Sequence, residues 1–529
     1  MSLAHNRFTR PVVIGLCGLA GVLVTALYGY LGLNNPLIGF LSDDALYLLM
    51  ADIYSARQPL ELPVYEHIAR FTQLPPMFPL VLSMSGAGSE NLWPARLVVA
   101  VSMGLSNLLF YIWQRQLDTP RGEAFLLVLL VSIHPISLIY VTDLWSEPLY
   151  ACFVWLSLIA LHTGSRSQGS RIVLFAAGTA IACALMTRTI GVALVPAAAY
   201  LVWRTRLSSG ALAVGAGFIL ALLVLVPLDL GGEGESYSRL LLNQYTHDPI
   251  ATLWSQLTVI SGSAWHALGY VLFLWRDYSL LQQLVLVAFL GLVVSGLIEL
   301  SRARQHHVVI YLLAYSAIFA IWPFPAIADR LIFGILPLLL YTAFRGMTFV
   351  TGRLAIRPRI AGTGFIIAVT LLASPAITAC AARLMRDTPP PELSAFRTSR
   401  YWIDPTRADV SESGFRYMLG VVSASRDIGN HVPEADCIYT MLPQMVLFNA
   451  KRKAWLPPTE LPDGGSAELD CRYFYLTATP LRGKPAFYPY ELIEEHTETV
   501  ALYQQAGTQD SGSSRRPVTG LLVRYRTAP

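Results

Sequence analysis

The sequence predicts a polytopic α-helical membrane protein of about eleven transmembrane helices, carrying a C-terminal extracytoplasmic α/β domain. Three observations predict it. Of 529 residues, 54% are hydrophobic and only 14% are charged, whereas a soluble domain is roughly one-quarter charged. Apolar stretches near the 20 or so residues that a bilayer-crossing helix needs recur through residues 1–385. Arginines gather in alternate loops between those stretches, as the positive-inside rule demands of one membrane side.

The stretches lie near 11–33, 92–113, 123–141, 146–163, 172–187, 189–203, 210–228, 280–299, 308–322, 331–350 and 360–381. Arg7 and Arg10 precede a first hydrophobic run too long for a cleavable signal, so that run is expected to remain as a span. Arg115 and Arg121, Arg166 and Arg171, Arg204 and Arg206, Arg302 and Arg304, and Arg345, Arg353, Arg357 and Arg359 then mark the cytoplasmic loops. The N-terminus is expected in the cytoplasm. An odd number of spans puts 386–529 in the periplasm of a bacterial inner-membrane protein. Formal net charge is only +4, with no basic stripe interleaved with aromatics, so no nucleic-acid footprint is present.

Residues 1–385 form the transmembrane domain, with large outer loops at about 34–91 and 229–279. In the first loop, Leu46, Leu49, Met50 and Ile53 fall at helical spacing while Asp44, Asp52 and Ser55 lie off that stripe, predicting a helix in the membrane interface. The second loop carries Glu233, Glu235, Tyr237, Arg239, His247 and Asp248, then Trp254, Trp265, Tyr270, Trp275 and Tyr278. Those aromatics read as an interfacial belt, with sugar stacking as the alternative. A linker at 389–391 leads into the tail, where short β-type runs at 437–441 and 473–477 alternate with a helical stretch near 414–428.

Cys17, Cys152, Cys183 and Cys380 lie in or near spans and read as buried small hydrophobes. Cys437 and Cys471 are the two cysteines of the outer tail, where oxidation is permitted, and are expected to form a disulfide. No CxxC or HExxH spacing signals a zinc site.

Adjacent carboxylates Asp43 and Asp44 stand where the chain first leaves the membrane, a costly place to keep charge and hence a candidate functional position. The competing reading is a helix cap by Ser42, Asp43 or Asp44. Further polar motifs recur at the outer ends of spans: Leu74-Pro75-Pro76-Met77-Phe78-Pro79; Thr142-Asp143-Leu144-Trp145-Ser146-Glu147-Pro148-Leu149-Tyr150; Thr187-Arg188-Thr189; and Asp329-Arg330-Leu331 running on to Pro337. Singly, each has a dull explanation: Pro75-Pro76 stops a helix, Glu147 complements a dipole, Arg188 and Arg330 snorkel. Converging on one face, carboxylates and arginines suit transfer from an anionic lipid donor. Arginine grips a phosphate bidentately, and a carboxylate takes a proton from an attacking hydroxyl.

The order Asp-Asp-Ala-Leu-Tyr (43–47), Pro-Pro-Met-Phe-Pro-Leu (75–80), Trp-Pro-Ala-Arg-Leu (93–97), Ser-Glu-Pro-Leu (146–149), Thr-Arg (187–188) and Asp-Arg-Leu (329–331) resembles the GT-C glycosyltransferases. It is most similar to the branch of protein mannosyltransferases and lipid A aminoarabinose transferases. The likeness covers roughly 10–385. It implies a catalytic acidic residue at Asp43 or Asp44, with Asp43 favoured for its place at the start of the interfacial helix, and a second acidic position at Asp143 with Glu147 nearby. Tyr47, Arg188, Asp329 and Arg330 become donor- or acceptor-binding residues. Leu74 stands where aminoarabinose enzymes carry lysine, which weakens that particular assignment. The implied reaction is inverting displacement of a polyprenyl phosphate by the hydroxyl of a lipid, glycan or protein acceptor. No cofactor is certain. A divalent Mg or Mn ion would sit on Asp43 and Asp143. An outer-leaflet polysaccharide polymerase or ligase, and a lipid-linked sugar transporter, are the rival readings; no inverted repeat favours the transporter.

Overall fold

The computed structural model describes residues 21–33, 38, 43–55, 64, 68, 74–166, 170–205, 208–228, 249–276, 278–322, 324, 327–386, 399–407, 412–457, 469–477, 496–504 and 518–526. Cys17, the stretch 34–37, the linker at 389–391 and the acidic and basic residues 233–248 of the second outer loop lie outside them.

Helices run in the order α1 (Gly21–Gly32), α2 (Asp43–Tyr54), α3 (Met77–Met84), α4 (Trp93–Gln116), α5 (Arg121–Ile133), α6 (Pro135–Tyr140), α7 (Glu147–Arg166), α8 (Arg171–Thr187), α9 (Leu194–Thr205), α10 (Ser208–Leu225), α11 (Pro249–Phe273), α12 (Leu280–Arg302), α13 (His306–Ala320), α14 (Ala328–Arg353) and α15 (Pro358–Arg386). Every predicted span contains helix among its described residues. Of these, α4, α7, α12, α14 and α15 are long and apolar enough to cross a membrane by length and composition. On α12 the reason is plain: Leu280, Leu284, Val287 and Val294 face outward while Leu286, Phe289, Val293 and Leu300 are buried, so an apolar outer surface surrounds an apolar core.

The glycines of α12 and α14 let these two helices touch. A Cβ on Gly296 would meet the Thr342 carbonyl, and one on Gly346 would meet the Leu292 carbonyl, the small-residue contact by which membrane helices bring their backbones together.

The structure departs from the sequence reading in four places. The span at 123–141 is two helices, α5 and α6, broken where His134 takes φ −60° and ψ 134° before Pro135; the proline ring disfavours helical geometry in the residue ahead of it. The span at 189–203 starts as a short 3-10 turn, Thr189–Ala193, before α9. Within the second outer loop, Pro249–Phe273 is a single helix of 25 residues, α11, so Trp254, Trp265 and Tyr270 ride on a helix. Finally, Asp44 and Asp52 of α2 are buried, where the pattern put them on a polar face. The turn at 85–92 and the tail cover that face: Ser89 N–H donates to both Asp52 carboxylate oxygens at 3.2 and 3.1 Å, and α2 packs against the tail helix Pro443–Ala450.

The tail holds α16 (Glu412–His431), β1 (Cys437–Thr440), α17 (Pro443–Ala450), β2 (Lys453–Trp455), β3 (Tyr473–Thr477), β4 (Thr497–Gln504) and β5 (Val518–Tyr525). The sheet order is β2-β1-β3-β5-β4, with β1 parallel to both neighbours and the β3, β5 and β4 pairings antiparallel. β1 and β3 are buried along their whole length, as central strands covered on both faces are. Cys437 and Cys471 are bonded, their Cα atoms 4.8 Å apart.

Candidate active site

Four helix ends meet beside α2. Asp43 opens α2, Glu147 opens α7, Asp329 and Arg330 lie in the first turn of α14, and Arg188 ends α8 in extended conformation at φ −150° and ψ 131°. Three of these are helix N-termini, whose unpaired N–H groups and dipoles favour negative charge.

Arg330 is the hub. Its Nε donates to Glu147 Oε1 at 2.8 Å and its Nη1 to Asp43 Oδ2 at 2.7 Å. Arg188 Nη1 donates to the same Glu147 oxygen at 2.6 Å and reaches Ser146 Oγ at 3.5 Å. The result is a chain of alternating charge, Asp43, Arg330, Glu147, Arg188, in which formal charges cancel. Burial is uneven along it: the side chains are 26% exposed for Asp43, 9% for Arg330, 1% for Glu147 and 12% for Arg188. Asp43 is therefore the open end and Glu147 the closed one. Two fully buried atoms of the array, Arg330 Nη2 and Glu147 Oε2, have no hydrogen-bond partner among the described residues, which is costly unless a ligand completes them.

Of the remaining predicted residues, Tyr47 and Asp329 adjoin this array, while Asp143 and Asp44 are drawn to a separate arginine, Arg96. Tyr47 hydroxyl shares a hydrogen bond of 3.1 Å with Ser146 Oγ, its ring stands edge-on to Phe78 of the Pro-Pro motif at 4.9 Å, and burial raises its pKa. Asp329 Oδ1 accepts from the Arg330 backbone N–H at 3.0 Å, and its Oδ2 accepts from Tyr140 hydroxyl at 2.8 Å. Asp143 is buried and accepts from Trp145 Nε1 at 3.1 Å. Asp44 is buried too, its Oδ1 taking the neighbouring Ala45 N–H at 2.8 Å. Asp143 and Asp44 both act electrostatically on buried Arg96, whose Nη1 donates to the Thr142 carbonyl at 2.6 Å.

Sequence reasoning gave no role to Trp145, Tyr140, Ser146 or Arg96, although all but Tyr140 sit inside quoted motifs. It also passed over the tyrosines beneath the array: Tyr150 and Tyr311 share a hydrogen bond of 3.0 Å, and Tyr315 donates to the Leu331 carbonyl at 2.7 Å. A tyrosine in an apolar helix reads as core until its hydroxyl's partner is known. Among the described residues no three His, Cys, Asp or Glu side chains gather as metal ligands. The guanidinium groups on Asp43 and Glu147 are where a divalent ion would have to compete.

Residues 73–228 match the family described as dolichyl-phosphate-mannose-protein mannosyltransferase. That stretch holds Asp143, Glu147 and Arg188, three of the predicted site residues. No curated protein sequence matches the chain. Among solved structures, ArnT from Cupriavidus metallidurans in the apo state is similar at TM-score 0.47 and 14% identity over 97% of this chain and 98% of that one. The same protein bound to undecaprenyl phosphate gives 0.44 and 13% over 96% and 97%. The Archaeoglobus fulgidus oligosaccharyltransferase tethered with an acceptor peptide gives 0.43 and 12% over 88% and 69%. The family match spans under a third of the chain, and α4, α7, α12, α14 and α15 are long and apolar enough for a multi-pass membrane protein.

Proposed function

We propose that the chain transfers a glycosyl group from a polyprenyl-phosphate donor to an acceptor hydroxyl at the outer face of the inner membrane, inverting the anomeric centre. The observation that carries this reading is the Asp43, Arg330, Glu147, Arg188 array, with its two unpartnered buried atoms. A phosphate diester or monoester at Arg330 would complete Nη2 and compete with Asp43 for Nη1, since charge-assisted contacts of guanidinium to phosphate and to carboxylate are of similar kind. Asp43, the exposed end, would be released toward the acceptor as Arg330 Nη1 exchanges its carboxylate for the donor phosphate. The acceptor oxygen then forms its bond to the anomeric carbon while the carbon–oxygen bond to phosphate breaks with its electron pair, and the acceptor proton passes to Asp43.

Glu147 holds Arg188 and Arg330 side by side. It is buried between two cations, the wrong setting for a proton acceptor and the right one for a structural counter-charge. Charge for the leaving phosphate is supplied by arginine, so a Mg or Mn ion would add to this arrangement and is not demanded by it. The tail sits against α2, on the side of the array, which agrees with a periplasmic tail and a periplasmic site.

Purified protein in nanodiscs, given a synthetic polyprenyl-phosphate sugar and extracted envelope glycolipids, glycans and peptides, should yield a glycosylated product and free polyprenyl phosphate. Movement of intact donor across a proteoliposome membrane without its cleavage would replace this reading with transport.

A further inference from the structure

Arg330 carries more constraint than its ion pairs explain. Its guanidinium carbon lies 3.7 Å from the centroid of the Trp145 ring. Trp145 in turn stacks on Tyr140, centroids 5.7 Å apart and planes 27° from parallel, and Tyr140 stacks on Phe333 at 4.5 Å and 29°. Two hydrogen bonds fasten this ledge. Trp145 Nε1 donates to Asp143 Oδ2, fixing the indole about its long axis. Tyr140 hydroxyl donates to Asp329, whose other oxygen accepts the N–H of Arg330 itself. The ledge therefore begins and ends on the same residue.

We infer that Trp145, oriented by Asp143, is a positioning residue that sets the plane of the Arg330 guanidinium for the donor phosphate. This rests on the donor-phosphate reading above. The physical reason lies in the guanidinium's shape: its five N–H donors all lie in one plane. An indole against one face closes that face and leaves the in-plane edge as the approach. Nε and Nη1 hold the carboxylates, and Nη2, on the remaining edge, has no partner among the described residues. Were the plane free to turn, a phosphate would meet the edge in one orientation of several and lose the bidentate geometry. Asp143 thus acts through Trp145, which explains why a carboxylate in a motif of the site is buried against an indole N–H.

A guanidinium–indole contact in a desolvated site contributes enough to change affinity by about 5- to 30-fold. Binding of undecaprenyl phosphate, the probe, to full-length protein in nanodiscs is measured alongside transfer kinetics. W145L should raise the probe's Kd and the donor KM by that factor, with kcat and acceptor KM changed less than about threefold. W145F, which restores an aromatic face, should recover most of the loss, and D143A should give a smaller loss in the same direction, a readout available even where W145L does not accumulate. In an R330K background, where the flat fork is gone, W145L should cost nothing further. Unchanged probe affinity in W145L or D143A, or full additivity with R330K, overturns the inference. If R330A itself leaves probe affinity unchanged, the donor-phosphate reading fails instead.

Discussion

Replacing Asp43 by Asn separates catalysis from capping, because the structure gives the two roles different magnitudes. Asp43 is about one-quarter exposed and loses an ion pair to Arg330, which keeps Glu147 as a counter-charge. No buried cation is stranded, so the folding cost is that of a partly exposed pair plus a cap, about 1–2 kcal/mol. Loss of a general base slows transfer by about 10²–10⁴, equivalent to about 3–5 kcal/mol of barrier. The D43N protein should accumulate, elute as wild type on size exclusion, bind polyprenyl phosphate at least as well, since Arg330 is less occupied, and transfer at under about one-hundredth of the wild-type rate. Asp44→Asn is the internal control: Asp44 is buried, its Oδ1 accepts from Ala45, and it faces Arg96 electrostatically, so it should lose stability of about 1 kcal/mol or more with a much smaller fall in turnover. The assay is product formation per folded protein in nanodiscs. If both variants keep more than about a tenth of wild-type transfer, neither carboxylate is the base and α2 merely begins with a cap.

Glu147→Gln should behave oppositely to D43N: with two buried arginines left facing each other, thermal unfolding in detergent should show a loss of about 3–5 kcal/mol, and donor KM should rise as Arg188 and Arg330 separate. The tail should migrate faster in unreduced than in reduced gels, and Cys437→Ser should abolish the difference and cost about 3–4 kcal/mol of tail stability for a 34-residue separation. A reporter active only outside the cytoplasm should be active when fused after Pro529 and silent when fused within 165–170; the reverse pattern would invert the proposed orientation.

The sequence by itself determined the membrane class, the helical segments and the candidate residues. Apolar length, arginine placement and proline are local properties, and the bilayer turns them into helices because every backbone N–H and C=O must be satisfied within the segment. Thus α4, α7, α12 and α14 fall within a few residues of their predicted ranges, and Asp43, Glu147, Arg188 and Arg330 were named from motifs alone. What tertiary structure decided is which of those charges meet. Arg330 reaches Asp43 across 287 positions of chain and Glu147 across 183, and no period or spacing encodes a pairing at such separation. Burial likewise came only from packing: the tail and the turn at 85–92 cover α2 and turn Asp52 from a solvated residue into a buried acceptor, while the helix-end geometry leaves Asp43 open and closes Glu147. Trp145 shows the same limit. An indole in a membrane-face motif reads as an anchor, and it became part of the site only when folding laid the guanidinium of α14 on its face, because a cation is held by a ring's quadrupole only at contact distance.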